Sequence, residues 1–168
     1  ALRGYEQTLV DFAIDPDLID RLFDIPFNYH LTAAKKLVEL GVDMIWTGDD
    51  IGAQHMMLID PETWRKHLKP RMAQFFAELK RINPAVKLAY HSDGNIEPII
   101  PDLIEIGIDV LNPIQCNCTG MDPLELKTEF GRDLAFRDET EGVGGQKDLA
   151  HQDQRAGFGC ALSGFGAE

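Results

Sequence analysis

The stretch Val86-Lys87-Leu88-Ala89-Tyr90-His91-Ser92-Asp93-Gly94-Asn95 decides the fold class and marks the first candidate site. Its first five residues form a short apolar run of strand type, and a helix-like segment, Ile96 to Ile106, follows. In proteins with parallel strands, chemistry is usually placed at the carboxyl ends of those strands. A His and an Asp one residue apart on a glycine-containing turn can there hold a metal ion or move a proton. The structural alternative is a helix-entry turn in which Asp93 or Asn95 caps the next helix.

The alternation of strand and helix continues on both sides of this stretch. Further short apolar runs are Val42 to Trp46, Ile108 to Leu111 and Leu134 to Phe136. Because each run is apolar throughout and alternates with a helical pattern, the sequence predicts a parallel sheet covered by helices. No strand is followed by a G-x-G-x-x-G or P-loop run, which disfavours nucleotide binding.

Helix ends are marked by side chains that cap or interrupt helices. Asp60-Pro61-Glu62 and Asp122-Pro123 each place an Asp at the N-cap and a Pro at the first helical position. Pro70 predicts a break in the helix that runs towards Ile82. Pro26 is expected to kink or divide the first helical region.

The order of these elements predicts an α/β fold with about four βα units. A (β/α)₈ TIM barrel normally needs about 250 residues, so 168 residues would supply a partial one. We expect the partial barrel over residues 1–136 and an irregular, poorly structured tail over 137–168. The tail has seven glycines between Gly142 and Gly166 and no sustained apolar period. Loss of the native reading frame near Phe136 is one hypothesis for this abrupt change.

Composition excludes several functional classes. The net charge is −12 and no basic stripe is present, so nucleic acid and anionic membranes are not expected partners. No apolar run approaches the roughly 20 residues that span a bilayer, and the first residues carry no signal-like apolar core. Three cysteines, Cys116, Cys118 and Cys160, are too few for a disulfide framework, and a reducing cytoplasm is the expected location.

Between Tyr5 and Phe136, a set of short motifs resembles the uroporphyrinogen decarboxylase superfamily, which contains tetrapyrrole decarboxylases and cobalamin-dependent methyltransferases. The matching motifs are specific as a set because of their order and spacing. They are Gly41 to Ile45, Gly48 to Gly52, Pro61 to Arg65, Lys69 to Arg71, His91 to Asn95, Ile99 to Ile104, Gly107 to Gln115 and Gly120 to Pro123.

The resemblance implies a carboxyl-terminal half of a (β/α)₈ barrel. It also implies a zinc site in the methyltransferase branch, where the position of His91 to Asp93 resembles His-x-Cys and both residues bind the metal. Here Asp93 stands at the Cys position. Zinc accepts carboxylates, so His91 and Asp93 remain candidate ligands with less thiolate character.

Two cysteines follow the third strand and are further candidate metal ligands. The spacing Cys116-x-Cys118 points both sulfur atoms to one side of an extended segment. If the sheet is in sequence order, this loop lies beside His91. One cysteine could then complete a three-ligand zinc site with an open position, and the alternative is a pair of loop cysteines with no such role.

Polar residues that follow the first and third strands are candidate catalytic and ligand-binding groups. Asp49 and Asp50 end the first strand, where paired carboxylates can share a proton or bind metal, or can cap the next turn. With His91 they are the predicted catalytic residues. Gln54, Asn112 and Gln115 are the predicted ligand-binding residues.

Three functions remain open on the sequence. The first is corrinoid-dependent methyl transfer with zinc near His91, with a methylated small molecule and a corrinoid protein as partners. The second is cofactor-free decarboxylation of porphyrinogen acetate groups in porphyrin biosynthesis, although Asp49 and Asp50 would repel a tetrapyrrole rich in carboxylates. The third is an inactive or partner-dependent half-barrel that associates as a homo-oligomer, because half a barrel leaves sheet edges unpaired.

Overall fold

The computed structural model describes residues 3–137, and these form a four-stranded parallel sheet with helices. The strands lie in chain order: β1 (Met44–Gly48), β2 (Lys87–His91), β3 (Val110–Asn112) and β4 (Ala135–Phe136). The helices are α1 (Tyr5–Ile14), α2 (Pro16–Glu39), α3 (Pro61–His67), α4 (Lys69–Ile82), α5 (Ile100–Glu105) and α6 (Pro123–Phe130). The tail predicted over residues 137–168, with Cys160, lies outside the described residues except for Arg137.

The predicted α/β class and the partial barrel are confirmed. All three strand pairings are parallel and join consecutive strands, with helices in the connections. Within residues 3–137 the sheet does not close, so β1 and β4 lie at its two edges. This is the arrangement that half of a (β/α)₈ barrel gives. None of the helices in this part of the chain is long and apolar enough to cross a membrane.

Strand register separates a face covered by helices from an open face. Ile45, Leu88 and Leu111 are buried on the covered face, at 7 %, 0 % and 0 % exposure. The neighbouring residues in each strand point the other way, so Gly48, His91 and Asn112 form one transverse row on the open face. Because these three residues are also the last of β1, β2 and β3, His91 lies at the carboxyl end of the sheet.

The predicted helix caps are confirmed by their hydrogen bonds. The Asp60 carboxylate accepts from the Thr63 N–H at 3.0 Å, and the Asp122 carboxylate accepts from the Leu124 and Glu125 amides at 2.9 Å. The predicted break near Pro70 separates α3 from α4 at Leu68.

Pro26 does not divide the first helical region. The division lies at Asp15, between α1 and α2, and α2 continues through Pro26. The Asp15 carboxylate accepts from the Leu18 N–H at 3.0 Å, which starts the new helix. One missing backbone hydrogen bond at Pro26 is tolerated because Ile19, Leu31 and other residues of α2 are buried in the core.

Candidate metal centre and adjoining cavity

Three loops meet at the carboxyl ends of β1, β2 and β3. The Ile51 N–H donates to Ser92 Oγ at 3.1 Å, and the Asn95 N–H donates to the Ala53 carbonyl at 2.8 Å. The Gly94 N–H donates to the Gln115 side-chain oxygen, which ties the third loop to the second. These bonds fix the relative positions of the loops that carry the candidate residues.

Asp50, His91 and Asp93 come together at this junction. One ligand atom from each lies within 4.8 Å of the others. His91 Nε2 is 3.4 Å from Asp50 Oδ1 and 3.9 Å from Asp93 Oδ1. The side chains are 30 % exposed for His91, 62 % for Asp50 and 47 % for Asp93, so a small ion or ligand can reach the cluster from solvent.

Asn112 sets the orientation of the His91 ring. Its Oδ1 lies 2.9 Å from His91 Nδ1, while its own Nδ2 donates to the Arg137 carbonyl at 3.3 Å. Because that second bond assigns the amide nitrogen, Oδ1 is the acceptor and His91 Nδ1 carries the hydrogen. In the neutral ring Nε2 then presents a lone pair to the two carboxylates.

The Asp93 carboxylate has an atom that the described residues leave unsatisfied. Asp93 Oδ1 is buried and accepts no hydrogen bond among residues 3–137. Buried carboxylate oxygens are normally hydrogen-bonded, because losing hydration without replacement is costly. One imidazole nitrogen and two carboxylates with an orphaned oxygen match the donor types and number of a three-ligand divalent metal site.

Asp49 lies outside this cluster, in the wall of an adjoining cavity. The cavity has a volume of about 650 Å³ and is lined by Asp49, Asp50, Tyr90 and His91 together with residues of α1, α2 and α4. Surrounding protein atoms remove water from the Asp49 carboxyl, and this desolvation, followed by the charge of Asp50, raises its pKa while His30 opposes the shift. Asp49 still has exposed surface, as expected of a group at a cavity wall.

Tyr90 contributes a second unsatisfied atom. The residue is 1 % exposed, and its hydroxyl has no hydrogen-bond partner among the described residues. Burial raises the pKa of Tyr90 well above its ordinary value, and the charges of Asp49 and Asp50 add to this. The nearby Asp49 backbone amide opposes the shift, but its hydrogen is donated to the His91 carbonyl at 3.1 Å. The hydroxyl therefore stays protonated and can donate to a ligand.

The two candidate cysteines do not join the three-residue cluster. Asp50 occupies the third position that sequence reasoning offered to a cysteine. Cys118 is 7 % exposed, and burial, followed by the charge of Asp93, raises the pKa of its thiol. A protonated thiol is a poor metal ligand. Cys116 lies in the same loop and is half-buried. Metal ligation by either cysteine stays a prediction.

The predicted ligand-binding residues are engaged in bonds between loops. The Gln54 side chain donates to the Asn117 carbonyl, Gln115 accepts from Gly94, and Asn112 bonds both His91 and Arg137. These bonds position the site, and direct ligand contact by the three residues remains a prediction. Sequence reasoning missed the Ser92 bond to Ile51 and the buried Tyr90 hydroxyl, because neither has a sequence motif.

Comparison with known proteins relates the chain to one family. The sequence model of the uroporphyrinogen decarboxylase (URO-D) family matches residues 1–121. Two curated relatives, both methylcobamide:CoM methyltransferases (MtaA) of Methanosarcina barkeri, one of them from strain Fusaro, are 26 % identical over 96 residues. The match covers 57 % of this chain and 26 % of each relative, so the chain spans about a quarter of their length.

No solved structure matches the chain at a significant level. The family match nevertheless extends over most of the chain and includes β1, β2, β3 and the three residues of the cluster. The chain belongs to the uroporphyrinogen decarboxylase family.

Proposed function

We propose that this chain forms part of a metal-dependent methyltransferase in which Asp50, His91 and Asp93 hold a divalent ion. The MtaA relatives are named as enzymes that transfer a methyl group between methylcobamide and CoM, which supports this branch of the family. The proposed methyl-carrying partner is a corrinoid protein, and the proposed acceptor or donor is a small methylated compound.

The observation that carries the proposal is the unbalanced charge around His91. Its Nε2 faces Asp50 Oδ1 and Asp93 Oδ1 at 3.4 and 3.9 Å, and Asp93 Oδ1 is buried without a partner. A neutral imidazole in this position would place a lone pair beside two negative charges. A bound cation resolves this arrangement, since it accepts electron pairs from all three groups at once.

Each residue would have a distinct role. Asp50, His91 and Asp93 would hold the ion, and Asn112 would keep Nε2 directed to it through the bond at Nδ1. A zinc ion bound there supplies a Lewis acid that favours the thiolate form of a thiol acceptor. The half-exposed side of the cluster leaves room for that acceptor to approach.

A porphyrinogen decarboxylase is the second candidate, since the family takes its name from that activity. Such a substrate carries many carboxylates, and Asp49 and Asp50 stand at the end of β1 where they would repel it. Catalysis without metal would favour this candidate.

The test is metal content, measured by mass spectrometry on purified protein after equilibration with zinc. We expect about one zinc per chain, with loss of the metal in His91→Ala and at least about tenfold weaker binding in Asp50→Asn and Asp93→Asn. The exposed His55, whose Nδ1 bonds Thr119 Oγ1 at 3.0 Å, provides the matched control, and His55→Ala should retain the metal.

Two outcomes contradict the proposal. Folded wild-type protein that binds no zinc would show that the three side chains do not hold the ion. Zinc that persists in His91→Ala would place the ion elsewhere. Where zinc binds as expected, methyl transfer is followed by the change in methylcobalamin absorbance on adding a thiol, and no change would leave the metal site without the proposed reaction.

A further inference from the structure

The cavity beside β1 has the size and lining of a small-molecule site. Its volume of about 650 Å³ lies within the range of ligand pockets. Most of its wall is apolar and aromatic, supplied by α1, α2 and α4. The aromatic members of these helices are Tyr5, Phe12, Phe23, Phe27, Phe75 and Phe76.

A polar atom in this wall lacks a protein partner. The Tyr90 hydroxyl is buried, makes no hydrogen bond to residues 3–137, and belongs to a residue that lines the cavity. A buried hydroxyl without a partner costs about 1–3 kcal/mol relative to a satisfied one. A ligand with a hydrogen-bonding group would remove that cost when it fills the cavity.

The charges around the cavity disfavour an anion. Asp49 and Asp50 stand in its wall, and Arg71 is the one Lys or Arg among its described lining residues. The Arg71 guanidinium is already committed, with Nη1 2.9 Å from Asp20 Oδ1 and Nη2 2.7 Å from Asp24 Oδ1. No described lysine or arginine is therefore free to neutralise a carboxylate, sulfonate or phosphate inside the cavity, whose other basic groups are the imidazoles of His30 and His91.

We propose that this cavity binds an uncharged ligand with an aromatic or similarly apolar body, anchored by a hydrogen bond to the Tyr90 hydroxyl. Binding follows from the cavity, the hydroxyl and the charges alone. Identifying the ligand as the methylated substrate rests on the proposed function, and the same cavity reaches Asp50 and His91.

The test uses metal-free protein, so that it does not depend on the metal proposal. Isothermal titration calorimetry at pH 7 compares 4-phenylphenol, which is neutral, with 4-phenylbenzoate, which has the same rings and a negative charge. We expect saturable binding of the phenol and at least about tenfold weaker binding of the benzoate. Asp49→Asn should narrow the difference in affinity between the two probes, because it removes a negative charge from the cavity wall.

Tyr90→Phe separates a ligand-binding role from a structural one. We expect about 3–10-fold weaker binding of 4-phenylphenol, the effect of one hydrogen bond, with a free energy of unfolding that is unchanged or raised. The exposed Tyr29 is the control, since Tyr29→Phe should alter neither quantity.

Three results would overturn the proposal. These are equal affinity for both probes, phenol binding that Tyr90→Phe leaves unchanged, and no binding at all in folded protein. The last would mean that another segment or chain fills the space beside β1. Because the protein carries no metal in this experiment, failure here leaves the metal proposal intact, and loss of zinc binding elsewhere leaves this one intact.

Discussion

At the scale of single residues, the site depends on a close approach of two backbones. Gly94 adopts φ +81°, and a Cβ there would lie 2.6 Å from both Ala53 N and Gly52 O. Contacts below 3.0 Å cannot be kept, and the atoms met are backbone, which has little freedom to move. Glycine at 94 is therefore required both by its dihedral angle and by the neighbouring loop.

Gly94→Ala should destabilise the protein and displace the loop that carries Asp93. Gly107 provides the control, because it has a similar φ of +94° but nothing within 4 Å of a built Cβ. We expect Gly107→Ala to cost about 1–2 kcal/mol of unfolding free energy for the left-handed conformation, and Gly94→Ala to cost at least about 2 kcal/mol more. Urea denaturation measures the unfolding free energy of both variants. Equal losses in the two would show that the loops carrying Gly52 and Gly94 can move apart without cost.

Sequence reasoning found part of the candidate site, and the reasons differ by residue. His91 and Asp93 could be predicted because their position at a strand end and their motif are local properties. The approach of Asp50 depends on pairing between β1 and β2, which places Gly48 beside His91. The Asn112 bond to His91 likewise follows from register between β2 and β3. Neither distance is encoded in a short stretch of sequence.

At the scale of elements, the strands were predicted in number and order but begin one or two residues later than their apolar runs. Val86, Ile108 and Leu134 are 0 %, 4 % and 2 % exposed, yet each precedes its strand. The side chains of these residues are buried in the core, but their backbone does not yet pair with the neighbouring strand. Burial alone therefore does not mark where strand pairing starts. Pairing then continues into polar residues, His91 and Asn112, because the ladder depends on backbone groups.

Asp109 joins three elements, and its ionisation should control stability in acid. Its carboxylate lies 2.8 Å from Lys80 Nζ of α4 and 3.0 Å from Lys87 Nζ of β2, and accepts from the Leu88 N–H at 2.9 Å. Burial alone would raise its pKa, but the hydrogen bonds from Lys80 and Lys87 outweigh burial and lower it. The side chain is 20 % exposed, so solvent screens the pairs only in part.

A carboxyl whose pKa is lowered by folding stabilises the protein above its unfolded pKa of about 4, and the effect is lost as pH falls through the folded pKa. Asp109→Asn should therefore lose about 1–2 kcal/mol at pH 7, and the difference from wild type should shrink between pH 5 and about pH 3. Asp133→Asn, at an exposed position, is the control and should show little change at either pH. A difference that stays constant with pH would contradict the role of the Asp109 charge.

At the scale of the whole molecule, the described chain is a curved sheet with one face open. The Arg137 guanidinium, just after β4, lies 5.1 Å from the centroid of the Trp46 ring on β1. This contact joins the two edges of a four-stranded sheet across its open face, and curvature of the sheet shortens a gap that would be about 14 Å in a flat one. The curvature agrees with a barrel wall, and it leaves Met44 and Trp46 at 42 % and 44 % exposure.

Within residues 3–137, the open face and the two edge strands that lack a further partner predict association. Exposed apolar surface next to free strand edges favours contact with another chain, so we expect the average mass in sedimentation to rise with concentration between about 1 and 100 µM, the range of weak complexes. Replacing Met44 and Trp46 together by Gln should shift this rise to higher concentration. Leu124→Gln removes a comparably exposed apolar side chain from α6, at 64 % exposure, and should leave the profile unchanged. A monomer throughout the range, or equal effects of the two changes, would mean that the open face of the sheet is not an association surface.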